Sequence, residues 1–313
     1  MRAKWSMTFQ RYISHNKLAW PYSVMISLLL WFVAWLENNV GFTPFVLTII
    51  SSMLLMWLNH LFALLHSFSR MMASSFILLN TAVILCPFLE GQQLHATWIQ
   101  FCLITFLFLF ISCYQYRKAQ GVILYAFATI GIISLTCKPI LYFVPLLWLL
   151  IGYCMVTFSL KIMLSSIFGI ALPYMFVYCY ILLQGTGVED CELFNNWYFC
   201  TPFNFKGIRP AVIVSYVTVS VLSLFGYYHL ILNGQKDRVR TRLMFQIFAI
   251  ISAYSLVMAL LQPLYIMSML SIETVATSAI IGHYITTTRS NISNYYTIAI
   301  LCLTLFVSIY HLF

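Results

Sequence analysis

Residues 96–114 have the sequence ATWIQFCLITFLFLFISCY, which contains no charged residue and no proline. At 1.5 Å per residue, a helix of this length spans about 28 Å, close to the hydrocarbon thickness of a bilayer. The same pattern recurs along the chain as eleven apolar runs. They lie at about 19–36, 43–66, 71–89, 96–114, 120–137, 139–158, 162–184, 210–232, 244–262, 264–287 and 295–312.

Composition points to a membrane protein. Only 7% of the 313 residues are charged and 62% are hydrophobic, whereas soluble domains are typically about 25% charged. Helix is the expected state of the runs, because a bilayer supplies no water to satisfy backbone groups and the strict alternation of barrel strands is missing. The sequence therefore predicts an all-α, polytopic transmembrane helix bundle, with residues 19–313 forming a single domain.

The N-terminal residues 1–18 differ from this domain because they are basic. Apolar side chains recur among them at helical spacing, which predicts an amphipathic helix lying on an anionic membrane surface. A frayed basic tail is the alternative. The basic residues are Arg2, Lys4, Arg11 and Lys17.

The distribution of basic residues predicts an orientation. If the N-terminus is cytoplasmic and eleven crossings alternate, thirteen of the 16 Lys and Arg residues lie inside, as the positive-inside rule expects. The outer ones are Lys138, Lys206 and Arg209. A single long helix broken at Pro263 is the alternative, and it would give ten crossings with an inner C-terminus.

Glu273 is the one acidic residue deep inside a run, about 13 Å from the end of its helix at 1.5 Å per residue. A carboxylate at that depth costs several kcal/mol unless it is paired, protonated or hydrated. Thr277 follows one turn later on the same face and is a hydrogen-bonding candidate. Glu273 is therefore a candidate substrate, ion or proton site, or else a protonated side chain that ties helices together.

Three further polar residues are candidates for the wall of a cavity. Asn59 and His60 lie toward the inner end of the second run, and Asn80 lies at mid-depth in the third. Ordinary hydrogen bonding between helices is the alternative explanation for each of them.

The longest link, residues 185–209, is predicted to be an outer loop. It combines acidic residues, including Asp190, with several aromatic ones, which favours either a binding surface for a sugar or lipid head group or a lid resting on the membrane. Cys191 and Cys200 flank its centre, and on the oxidising side of a membrane they are a candidate disulfide pair.

Several functions are disfavoured. The net charge of +9 does not predict nucleic-acid binding, because the basic residues are spread between apolar runs rather than gathered in a patch. No Cys/His spacing typical of a metal site occurs, and no nucleotide or cofactor motif is present. No metal or cofactor is therefore expected, and the predicted partners are membrane lipids and other membrane or envelope proteins.

The region 94–174 resembles an uncharacterised family of multi-pass inner-membrane proteins of Bacteroidota. The shared features are Arg117 after the fourth helix, Pro139 opening the sixth, and the pattern Gly169-x-x-x-Pro173-Tyr174 in the seventh. The family pattern has an acid at the start of the fifth helix, and this chain has none there. The resemblance implies a multi-pass protein of the bacterial inner membrane and brings no catalytic residues.

Two classes of function are predicted as alternatives. The first is non-enzymatic: a polar cavity around Glu273 for transport or translocation of an amphipathic substrate, or a membrane subunit of an envelope complex. The second is a membrane-embedded enzyme using a polyprenyl-linked sugar. It rests on an analogy with glycosyltransferases that place a carboxylate in the first outer loop, where Glu37 stands, and on Asp190.

Overall fold

The computed structural model describes residues 9–16, 18–38, 41–62, 70–85, 92–114, 119–155, 159–184, 205, 207–233, 238–288 and 290–311. Every regular element within them is a helix. The first six are α1 Phe9–His15, α2 Ala19–Asn38, α3 Phe42–Phe62, α4 Met71–Leu85, α5 Gln92–Ser112 and α6 Gln120–Thr136. A composite helix follows: a 3-10 turn at Lys138–Phe143, α7 Val144–Leu150 and a π-helical turn at Ile151–Met155. The last five are α8 Leu160–Gln184, α9 Pro210–Asn233, α10 Val239–Leu261, α11 Ile266–Thr287 and α12 Asn291–Tyr310.

The prediction of a polytopic helix bundle is confirmed. Among the described residues, eight helices are long and apolar enough to cross a membrane. Three shorter apolar helices, at Met71–Leu85, Gln120–Thr136 and Lys138–Tyr153, occupy the other predicted runs. This is the fold of a multi-pass membrane protein.

Helices α10 and α11 are joined by a tight turn around Pro263. Gln262 leaves the α-helical conformation with φ −133° and ψ 73°, and Pro263–Tyr265 form one 3-10 turn before α11 begins. Ser252 and Ser255 of α10 then hydrogen-bond to Glu273 of α11. Such pairing across the turn requires the chain to reverse direction, so the two helices are antiparallel neighbours and not one broken helix.

Helix α11 is the centre of the bundle. Every residue from 269 to 285 is buried, because α4, α5, α9 and α10 all pack against it. Two glycines allow close approach on its sides. A Cβ on Gly282 would lie 3.0 Å from backbone atoms of Met72 in α4, and one on Gly226 of α9 would lie 2.5 Å from Ile280.

Helices α6 and α8 pack through a second pair of glycines. A Cβ on Gly169 of α8 would lie 2.5 Å from the carbonyl oxygen of Leu124, and one on Gly131 of α6 would lie 2.7 Å from that of Ile170. Ser134 and Tyr174 hydrogen-bond across the same contact, at 2.9 Å. Close backbone contact between small residues is a common way for helices to associate in a membrane.

We expect Gly169→Ala to lower the thermal unfolding midpoint of the purified protein, with a loss of about 1–3 kcal/mol from overpacking. The added methyl group meets backbone atoms, which cannot move aside as a flexible side chain can. Gly121→Ala is the matched control, since nothing lies within 4 Å of its added Cβ. Equal midpoints for the two variants would contradict the close α6–α8 contact.

The N-terminal helix α1 is held to the bundle by Gln10, which is buried. Its side-chain amide donates to the carbonyl oxygens of Ile285 (2.9 Å) and Thr288 (3.1 Å). The Ser293 hydroxyl donates to the Oε1 of Gln10 at 2.7 Å. The backbone N–H of Gln10 donates to the Oδ1 of Asn294 at 2.9 Å. Helix α1 therefore rests on the link between α11 and α12. Its position on a membrane surface stays a prediction.

Candidate functional site

Glu273 lies on the face of α11 that is covered by α9 and α10, and its side chain is fully buried. The Ser252 hydroxyl donates to Oε1 at 2.8 Å, and the Ser255 hydroxyl donates to Oε2. Thr277, one turn along α11, donates to Oε1 at 3.4 Å. Ser223 of α9 also hydrogen-bonds to the carboxyl group. Three helices thus direct hydroxyl groups at one carboxyl group.

No cation among the described residues pairs with Glu273, since its partners are the four hydroxyls. A buried carboxylate normally requires a paired cation as well as hydrogen bonds. The hydroxyl dipoles offset part of the desolvation cost, and the remaining charge is unmatched. A buried carboxyl group with hydroxyl partners and no paired cation is suited to bind a proton or another cation.

Two of the hydroxyls have a second acceptor within their own helix. The Ser255 Oγ lies 2.8 Å from the carbonyl oxygen of Ser252, and the Ser223 Oγ lies 2.8 Å from that of Ser220. A hydroxyl carries one proton, so each can donate either to Glu273 or to its own helix. By rotating two O–H bonds, the site can accommodate both protonation states of the carboxyl group without moving heavier atoms.

A groove runs between α9 and α10, which contact each other sparingly while both pack on α11. One half is a cavity of about 390 Å³ and the other a cavity of about 260 Å³. Leu224 and Leu256 line both cavities, so the two cavities are adjacent. We call this feature the α9–α10 groove, and the rim residues Tyr153, Leu224 and Tyr227 are exposed on the bundle surface.

The two halves of the groove differ in polarity. The smaller half is lined mainly by Ile, Val, Leu and Ala side chains of α9 and α10. The larger half contains Ser223, Ser252, Gln246 and the phenol groups of Tyr153 and Tyr227. Because Ser223 and Ser252 also hydrogen-bond to Glu273, the carboxyl group lies one hydrogen bond behind the wall of the polar half.

A second buried polar network joins four helices on another side of α11. The Asn80 amide donates to Thr48 at 2.8 Å, and the Gln100 amide donates to Asn80 at 2.7 Å and to Thr274 at 3.0 Å. All four side chains are buried. Thr274 follows Glu273 in the chain and points about 100° away around the helix. The network therefore ties α3, α4 and α5 to the helix that carries the carboxyl group.

The predicted site residues are only partly brought together. Glu273 and Thr277 form one site, whereas Asn80 belongs to the second network. Asn59 is buried near the end of α3, and its neighbour His60 is exposed on the surface of the same helix. The side chain of Glu37, and the residues Asp190, Cys191 and Cys200, lie outside the described residues, so the proposed disulfide and the carboxylates of the enzymatic alternative stay predictions.

Sequence reasoning missed the serines around Glu273 and the glutamine in the groove. A signal for the serines existed: Ser220 and Ser223 in α9, and Ser252 and Ser255 in α10, recur at a spacing of three. This spacing places two hydroxyls on one helix face. In the part of the chain that the structure describes, no three His, Cys, Asp or Glu side chains come close enough to hold a metal ion.

Comparisons of the chain with protein-family models, with curated proteins and with solved structures find no match.

Proposed function

We propose that the protein translocates an amphipathic substrate across the membrane, with the polar part of the substrate passing along the α9–α10 groove. The observation that carries this proposal is a buried carboxyl group, with four hydroxyl partners, placed directly behind a groove on the bundle surface. The groove gives a head group a polar path, while the apolar part of the substrate stays in the surrounding lipid.

Energetics supports this role for Glu273. An ionisable side chain deep in a membrane helix costs several kcal/mol, and such residues commonly line substrate and ion pathways. A purely structural tie between helices is achieved more cheaply by neutral side chains. The second network does this with Asn80 and Gln100.

We also propose eleven crossings with a cytoplasmic N-terminus. Two contacts support this topology. Gln10 binds the α11–α12 link, as expected if that link and the N-terminus lie on the same side of the membrane. His311, at the end of α12, binds Ser215 near the start of α9, on the side opposite to the N-terminus if the crossings alternate. A ten-crossing chain would separate both pairs by the bilayer.

The proposed location is the bacterial inner membrane, which rests on the resemblance described for residues 94–174 and on the predominantly inner basic residues. Membrane lipids are the proposed partners, together with other membrane or envelope proteins. The amphipathic helix α1 would then lie at the cytoplasmic surface, where the anionic lipid head groups attract basic residues.

The topology predicts the outcome of a fusion experiment. A reporter that is active only outside the cytoplasm should be active when fused after Phe313, and inactive when fused within residues 234–237. A reporter active only in the cytoplasm should give the opposite pattern at both positions. Cytoplasmic activity after Phe313 would contradict eleven crossings.

The groove predicts the effect of a blocking substitution. Ala253 is exposed and lines the polar half, so Ala253→Trp should slow the movement of a fluorescent phospholipid between the leaflets of proteoliposomes. A barrier raised by ~1.4 kcal/mol or more would lower the rate about tenfold or more. Movement would be measured as the lipid fraction accessible to a membrane-impermeant quencher.

Ala171→Trp is the matched control, since Ala171 is an exposed alanine of α8 that lines neither half of the groove. It should leave the rate unchanged. If Ala253→Trp and the wild type move lipid equally fast, the groove is not the pathway. A role as a structural subunit of an envelope complex would then be favoured.

A further inference from the structure

The polar half of the α9–α10 groove is rich in hydrogen-bond acceptors. The Gln246 side chain lines this half, while its Oε1 is turned away from the groove surface and has no hydrogen-bond partner among the described residues. The carboxyl group of Glu273 lies behind Ser223 and Ser252, whose hydroxyls can accept as well as donate. Among the described residues, no Lys or Arg lines either half of the groove.

An unsatisfied buried acceptor costs about 1–3 kcal/mol. Rotation of the Gln246 amide turns Oε1 toward the groove, where a ligand with N–H or O–H donors removes this cost and a ligand with acceptors alone does not. Glu273 sharpens the preference, because its carboxylate has no cation among the described residues. A positively charged donor satisfies both groups at once.

The start of α10 supplies a complementary charge. Arg242 precedes Gln246 by one helical turn and lies on the same face, and Arg238, one turn before Arg242, is exposed. A phosphate placed at this end faces arginine, while an amine directed into the groove faces acceptors. The order of charges along α10 therefore matches a head group that carries a phosphate and an amine.

We infer that the polar half of the α9–α10 groove binds the primary ammonium head group of a membrane phospholipid, with its N–H donors directed at Gln246 and, through the serines, at Glu273. This inference rests on the proposed translocation function and specifies its substrate class.

The test compares two phospholipids that differ in these donors, together with a third, uncharged lipid. The detergent-purified protein is incubated with equal amounts of phosphatidylethanolamine, phosphatidylcholine and a neutral glycosyl diacylglycerol, and retained lipid is measured by native mass spectrometry. Phosphatidylethanolamine should be retained about tenfold over phosphatidylcholine, the ratio expected from one charge-assisted hydrogen bond. Gln246→Leu should remove most of this preference.

Gln184→Leu is the matched control, since Gln184 is an exposed glutamine at the end of α8, and it should keep the wild-type preference. Equal retention of the two phospholipids, or stronger retention of the glycosyl lipid, would overturn the ammonium assignment. If Ala253→Trp still blocks translocation in that case, the proposed function stands without it. If the preference is found but Ala253→Trp leaves translocation intact, the proposed function fails and the groove is a lipid-binding site only.

Discussion

Glu273→Gln is expected to slow lipid translocation in proteoliposomes by about tenfold or more while the protein still folds. The substitution keeps the size of the side chain and removes its ability to carry a negative charge. If a cationic group must be stabilised beside Ser223 and Ser252, losing that attraction in a site of low dielectric raises the barrier by at least ~1.4 kcal/mol, or about tenfold in rate.

The hydroxyls around Glu273 explain why the fold should tolerate glutamine. Its oxygen can still accept from Ser252, and its amide can donate to the oxygen of Ser255 or Ser223. Each of those two serines can turn its own proton to a carbonyl oxygen 2.8 Å away in its helix. The free energy of unfolding of Glu273→Gln, measured by thermal unfolding, should therefore be no more than about 1 kcal/mol below that of the wild type.

Asn80→Leu is the contrasting variant for this experiment. Asn80 is also fully buried and polar, but it belongs to the second network and touches neither half of the groove. It should lower stability, because Gln100 and Thr48 each lose one hydrogen-bond partner, and should leave the translocation rate of the folded fraction close to that of the wild type. Translocation by Glu273→Gln at the wild-type rate would rule out a charge-dependent role for the carboxyl group.

The sequence was sufficient to predict the fold class. Uninterrupted apolar runs such as residues 96–114 have one stable state in a bilayer, and every predicted run contains a helix among its described residues. The relationship between Glu273 and Thr277 was also predictable, because residues four apart on a helix share a face. These features depend on one segment at a time.

The remainder of the site depends on which helices become neighbours. Ser252 and Ser255 reach Glu273 only because α10 folds back on α11 at Pro263, and Ser223 does so only because α9 packs on the same face. All helices of the bundle are similarly apolar, so hydrophobicity does not select their partners in a membrane. Selection falls to close contacts such as that of Gly226 with Ile280, which have no distinctive periodic pattern in the sequence.

Removing both α10 serines is expected to have the second large effect, this time on stability. Ser252→Ala/Ser255→Ala takes two donors from a carboxyl group that is fully buried. Each hydrogen-bond partner that a buried polar group loses costs about 1–3 kcal/mol. We expect the free energy of unfolding to fall by about 2–4 kcal/mol, measured by thermal or denaturant unfolding in detergent micelles.

Two further variants identify the carboxyl group as the cause of this loss. Adding Glu273→Met to the double variant removes the group that lacks donors, so that both sides of the Ser252 and Ser255 hydrogen bonds are then apolar, a change that is often nearly neutral. The triple variant should therefore regain most of the lost stability. Ser74→Ala/Ser308→Ala is the matched control, because each of those buried hydroxyls donates to the carbonyl oxygen four residues earlier in the chain, at Arg70 and Thr304.

The pattern of recovery separates the two explanations of Glu273. If the serines exist to satisfy the carboxyl group, the triple variant is stable but inactive, since a thioether cannot attract a cation or a hydrogen-bond donor of the substrate. If the serines instead stabilise the packing of α10 on α11 directly, Glu273→Met recovers nothing. A stable triple variant without translocation would show that the carboxyl group is retained at a cost in stability, as expected of a residue kept for function and not for folding.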